Sequence, residues 1–151
     1  MPRRAFDTQG PARVGRALVR AELECRGATV REVREGGVHF LEISGIQSGR
    51  SLRVRVKTRR SGTWQASASD SEPSSARGAS STLWVFVDLS TATPAFFIAR
   101  DNAVRRDIEA HHRAYLAKHG GRRRDNNTSN HHAIGSIRVE RLNEGWAALG
   151  L

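Results

Sequence analysis

Leu52-Arg53-Val54-Arg55-Val56-Lys57-Thr58 is the stretch on which the reading of the whole chain turns. Leu52, Val54 and Val56 alternate with Arg53, Arg55 and Lys57. A β-strand turns that period of two into one apolar face and one cationic face. Arg59 and Arg60 prolong the charge. Upstream, Val38 to Ile43 and Ala28 to Glu35 read as two more strands, joined by a tight turn at Gly36-Gly37. A second turn spans Gly45 to Gly49. The three strands form an antiparallel meander that ends on Lys57.

Before the meander, Pro11 sits where a helix can start. Val14, Leu18, Ala21 and Cys25 recur at helical spacing, and Gly27 is a natural stop. The pattern predicts a helix from about Ala12 to Arg26, with Cys25 as a small core residue. Beyond the meander, Gly62 to Ser81 is rich in Ser, Ala and Gly and reads as a long loop, with Trp64 near its start pinned to the body as a lid over the core. Leu83 to Leu89 is an almost unbroken apolar run, the pattern of a central strand covered on both faces. Ala95 to Ala99 is the next strand. Asp101 or Asn102 is placed to cap a helix carrying Val104, Ile108, His111 or His112, and Tyr115 on one side, which His119-Gly120-Gly121 ends. Arg122-Arg123-Arg124 opens a basic loop, Ile134 to Leu142 reads as a short strand, and a last short helix docks Trp146 and Leu149. The chain divides into a flexible basic lead-in over residues 1–10 and a single domain over 11–151.

The composition narrows the function. A formal net charge of +10 favours polyanionic partners, nucleic acid above all. One cysteine rules out an internal disulfide and fits a reducing cytoplasm. No segment approaches the roughly 18 apolar residues of a membrane span, and Met1-Pro2-Arg3-Arg4 lacks an apolar signal core. The histidine pairs His111-His112 and His131-His132 lack zinc-site spacing, and adjacent helical residues do not face the same way. No metal ligand set is read from the sequence.

The ordered set of helix, meander ending in Val54-Arg55-Val56-Lys57-Thr58, Trp64, the Trp84 to Leu89 strand, Phe96-Phe97-Ile98, His132-Ala133-Ile134 and Trp146 to Leu149 resembles the restriction-endonuclease-like fold of the PD-(D/E)xK nuclease superfamily. The resemblance covers about Val14 to Leu149. It implies an α/β (α+β) fold: a mixed sheet of about five strands flanked by helices. In that superfamily an acid on the second strand and another two residues before the lysine hold Mg²⁺, which activates water and neutralises developing charge. Lys57 matches the motif lysine. Arg55 stands at the acid position before it, the second-strand acid falls near His39 or Phe40, and Arg16 stands where a helix-borne glutamate is common. A guanidinium cannot ligate Mg²⁺.

The expectation is therefore a DNA-binding protein, probing the phosphate backbone with Arg53, Arg55, Lys57, Arg59 and Arg60 and with a second patch at Arg122, Arg123 and Arg124, and needing no cofactor. Its expected partner is double-stranded DNA, with a second copy of the chain as a further candidate and no membrane. One alternative is an active Mg²⁺-dependent endonuclease in which Glu22, His39 and Asp88 gather as migrated ligands around a catalytic Lys57. Another is a basic module that meets an acidic protein.

Overall fold

A computed structural model describes residues 10–45, 49, 51–67, 82–118, 120 and 131–151. Helix α1 (Gly10–Cys25) leads into strands β1 (Thr29–Glu35), β2 (Val38–Ser44) and β3 (Leu52–Arg59). Strand β4 (Trp64–Ser67) follows, then β5 (Thr82–Asp88), β6 (Ala95–Arg100) and helix α2 (Asp101–Lys118). The chain ends with β7 (His131–Ile134), α3 (Ser136–Leu142) and a 3-10 turn over Trp146–Leu149. The expected α+β class holds: a five-stranded mixed sheet in the order β1-β2-β3-β5-β6 is flanked by helices. β1, β2 and β3 pair antiparallel, β3 and β5 pair parallel, and β5 and β6 pair antiparallel. Gly36 and Gly37 both adopt positive φ, 57° and 79°. That is the backbone of a two-residue hairpin turn, and it fixes the register Glu35↔Val38 and Arg34↔His39.

β5 shows why its sequence is apolar throughout. Leu83, Val85 and Val87 join one core with Val19 and Leu23 of α1, Leu41, Ile43, Val54, Ile98 and Leu149. Trp84 and Phe86 point the other way, into a second core with Trp64, Ala66, Val104, Ile108, Ile134 and Val139. A central strand buried on both faces has no polar positions to spare.

The phase of α1 differs from the expected stripe. Its buried residues are Gly15, Val19 and Leu23, spaced four apart; Val14 is 42% exposed. Cys25 is exposed, not a core residue. Gly15 sets the rotation. A Cβ built there would overlap Thr58 Oγ1 and lie 2.9 Å from Thr58 Cβ on β3. The helix rests on the strand at a distance only glycine permits. A pattern that counts only large apolar residues misses this contact.

Two further expectations are corrected. The long loop from Gly62 contains β4, which pairs antiparallel with β7 in a separate two-stranded sheet, Trp64↔Ile134 to Ser67↔His131. Ile134 to Leu142 is not one strand. β7 ends at Ile134 and residues 136–142 are helical, burying Val139 in the second core. At the start of α2, Asp101 is buried, accepting from Trp84 Nε1 at 2.7 Å and from Arg105 Nε at 2.8 Å. Asn143 Oδ1 accepts from the Ile98 amide at 2.9 Å, tying the C-terminal segment to β6. The expected lead-in, apart from Gly10, and the basic loop at Arg122, Arg123 and Arg124 lie outside the described residues. Among the described residues no helix is long and apolar enough to cross a membrane.

Candidate nucleic-acid interface

The cationic face of β3 lies on the side of the second core. By register, Arg55 lies beside Trp84 and Arg59 beside Asp88 of β5. Each cation of the row meets an aromatic ring. Arg53 lies over Phe40 at 5.5 Å, Arg55 over Trp84 at 4.5 Å and Arg59 over Trp64 at 3.9 Å, while Lys57 Nζ is 5.8 Å from the Trp84 ring. Stacking gives a guanidinium partial desolvation without loss of charge.

The row then divides by its carboxylate neighbours. Arg53 pairs with Glu35 and lies 3.8 Å from Glu42. Arg59 pairs with Asp88 at 2.7 Å, its side chain 13% exposed. Hydrogen bonds from Arg59 and then from Ser90 hold the Asp88 carboxyl down at about 2, against the opposing effect of burial. Arg59, expected from the sequence to contact a phosphate, is held as a clamp between β3, β5 and Trp64. Its charge is committed to Asp88 and its plane to the indole. Arg60 is exposed on the loop beyond.

Arg55 and Lys57 line a different place. The β2–β3 ladder runs from Ile43↔Leu52 to Leu41↔Val54. Past its end, between the first residues of β2 and the last of β3, lies a cavity of about 220 Å³. Its walls are Ala12 and Arg16 from α1, Gly37, Val38 and His39 from the hairpin and β2, and Arg55, Val56 and Lys57 from β3. By the alternation of the strands His39 shares the α1-side face with Leu41 and Ile43 and sits near Arg16, whereas the Arg55 and Lys57 head groups lie on the opposite face over Trp84, so the hollow at this sheet edge has cations on both sides. Arg34, cross-strand neighbour of His39, adds a fourth cation on the β1 side. Among the described residues no carboxylate lines the cavity. His39 is held below the ordinary imidazole range, first by partial desolvation and then by Arg16 and Arg34, with Glu32 opposing. At neutral pH it is an uncharged ring among cations.

No family model, curated protein or solved structure matches the chain. The cavity has to be understood from its own residues. A Mg²⁺ site needs hard oxygen donors, and guanidinium, ammonium and imidazole groups do not supply them. The residues present do not fit the metal. Glu22 lies on α1 six residues past Arg16, about 9 Å along the axis at 1.5 Å per residue. It lies 3.6 Å from Arg26 in an exposed pair. Asp88 is engaged by Arg59. His39 and Lys57 thus both line the cavity, their side chains on opposite faces of the sheet, and Glu22 and Asp88 lie elsewhere. Among the described residues, no group of three or more His, Cys, Asp or Glu is arranged to hold a metal ion.

Trp64 is fully buried and donates from Nε1 to the Val87 carbonyl at 3.0 Å. Its ring belongs to the core and offers no face to a base. Arg34 is the site residue the sequence reading missed, and Arg16 was noted there only as a substituted position. The signal for Arg34 was present in the hairpin: a two-residue Gly-Gly turn sets Arg34 opposite His39 once the turn type is recognised.

Proposed function

We propose that this protein binds DNA through its phosphates, on a restriction-endonuclease-like scaffold whose catalytic pocket carries cations in place of metal-ligating acids. The observation that carries this reading is the cationic face of β3, where Arg55 and Lys57 lie over Trp84, at a sheet edge that Arg16 and Arg34 flank from the α1 side near His39. The formal net charge of +10 supports it, because a basic chain is drawn to a polyanion at long range. Arg55 and Lys57 are the phosphate contacts on β3 and Arg16 the contact on α1. Arg34 and Arg60 extend the field along the surface. Contacts of this kind position the duplex without reading its sequence.

Binding by fluorescence anisotropy to a labelled duplex tests the proposal. Micromolar or tighter binding is expected near 50 mM salt, unchanged by a metal chelator and weakened several-fold by Lys57→Ala or Arg55→Ala. Supercoiled plasmid stays intact in Mg²⁺ or Mn²⁺. Absence of any salt-dependent binding would overturn the reading. Metal-dependent nicking abolished by Lys57→Ala would replace it with that of an active endonuclease.

A further inference from the structure

β1 forms one edge of the five-stranded sheet, and among the described residues no strand pairs with its outer side. An open edge can take up another strand. The phase of β1 says which backbone groups it offers. Glu35 and Val38 close the two-residue turn as a pair that exchanges both hydrogen bonds. Arg31, Val33 and Glu35 therefore direct their N–H and C=O groups at β2, and Val30, Glu32 and Arg34 direct theirs outward. The Val30 carbonyl fits this phase, because it accepts from Arg20 Nη2 of α1 at 3.3 Å. Beyond that contact Arg31, Glu32, Arg34 and Glu35 are all exposed, around a half-buried Val33.

We propose that this edge pairs with β1 of a second copy of the chain, antiparallel and centred on Val33, joining the two sheets across a two-fold axis. Set against itself in that way, Arg31-Glu32-Val33-Arg34-Glu35 places Arg31 opposite Glu35, Glu32 opposite Arg34 and Val33 opposite Val33. Charges on an edge ordinarily block such pairing. Here they block the neighbouring registers instead. A shift of one residue either way sets Arg31 against Arg34 or Glu32 against Glu35. A shift of two sets Glu32 or Arg34 against itself. In-register parallel strands set like against like throughout, and like charges directly opposite are destabilising. The backbone favours the same register. Glu32 and Arg34 hold the outward groups, so each Glu32–Arg34 pair exchanges two hydrogen bonds, and the Val33 side chains meet at the closer, non-hydrogen-bonded spacing. On the Trp84 side Arg31 already pairs with Glu42 and Glu35 with Arg53. The join thus continues an alternating row of charges from one copy into the next. Pairing at β1 is independent of DNA binding at β3. Its two-fold axis runs normal to the sheet, so both copies turn Arg55 and Lys57 to the same side.

Sedimentation velocity of the full chain, without DNA, tests the pairing. The interface is short, so a weak dimer is expected, with a dissociation constant on the order of 10–100 µM. Glu32→Arg sets like charges opposite one another at two symmetry-related places, as does Arg34→Glu. Each is expected to weaken the dimer by about tenfold. Both substitutions in one chain restore complementarity and should restore the dimer. Mixing the two single variants should restore it as well, because a chain carrying one is complementary to a chain carrying the other in both pairs. Thermal melting verifies that each variant is folded, and a folding defect is not rescued by mixing. Three results would overturn the proposal: a wild type that stays monomeric to about 1 mM, a dimer indifferent to either single variant, or a mixture of folded variants that stays monomeric. The DNA-binding reading would stand after any of them.

Discussion

Lys57 and Arg59 are two positions apart on one face of β3, and their surroundings separate their roles. Lys57 lines the cavity, whereas Arg59 is held between Asp88 and the Trp64 ring. Arg59→Ala should strand a nearly buried carboxylate and remove a stacking partner. A loss of about 2–4 kcal/mol in denaturant unfolding is expected, with DNA affinity of the folded protein little changed. Lys57→Ala should do the reverse. The Asp88 clamp also sets an acid limit. Its carboxyl is lowered to about 2 in the fold, against an ordinary value near 3.9. Stability from this pair is present above about pH 4 and is lost as pH falls toward 2, on the order of 1–2 kcal/mol. An Asp88→Asn variant should show a correspondingly flatter decline in melting temperature over that window. Gly15 gives a third residue-scale prediction. Alanine normally favours a helix over glycine by about 1 kcal/mol, but here a methyl meets Thr58. Gly15→Ala should therefore destabilise by about 1–3 kcal/mol, and Thr58→Ala in the same chain should recover part of the loss. At this scale the alternation of β3 was legible because period two is a local property. The ion pair to Asp88 was not, because it depends on a strand 29 residues away.

Between elements, the packing of β7, α2 and α3 depends on a polar junction. Arg138 of α3 donates to Asp107 of α2 through Nε at 2.9 Å, to the Ala133 carbonyl at 3.0 Å and, through Nη2, to His132 Nε2 at 2.8 Å. An arginine only donates, so Nε2 accepts and the His132 ring is neutral, with its proton on Nδ1. Burial first, then Arg138 and His111, push His132 down to about 4, with Asp107 opposing and His112 adding to the fall. A depressed histidine stabilises the fold above its unfolded value near 6.5 and loses that contribution as pH falls from there toward 4. The melting temperature is expected to drop between pH 6.5 and 4, and His132→Gln should blunt the drop. If the wild-type curve is flat through this window, the neutral ring at this junction is wrong. The sequence exposed the existence of most elements, since the meander and the β5 run carry strong periodicities. It hid β4 inside a Ser/Ala-rich stretch because a four-residue strand paired to a partner some 70 residues later leaves no local pattern. It also hid α3, whose seven residues are too few for helical spacing to declare itself, and which lacks a side-chain N-cap bond.

For the whole molecule, the two cores hold the sheet from opposite sides while the β2–β3 ladder ends short of the hairpin, opening the cavity. Folding thus gathers Arg16 and Arg34 on one side of this sheet edge and Arg55 and Lys57 on the other, concentrations of like charge that a bound polyanion relieves. DNA should accordingly raise the melting temperature, by mass action on the folded state, and a chelator should leave that shift unchanged. The resemblance in element order pointed to Arg16, His39, Arg55 and Lys57 as positions of interest, but charge alone did not separate the cavity-lining residues from Arg59, held against Asp88. The central claim is that Lys57, on the cationic face of β3, touches a phosphate. Duplex affinity measured against salt concentration for wild type and Lys57→Ala tests it most directly. The logarithm of the association constant should fall linearly with the logarithm of salt, and the variant's slope should be shallower by about one unit. Parallel lines of equal slope, or no binding by the wild type, would contradict it.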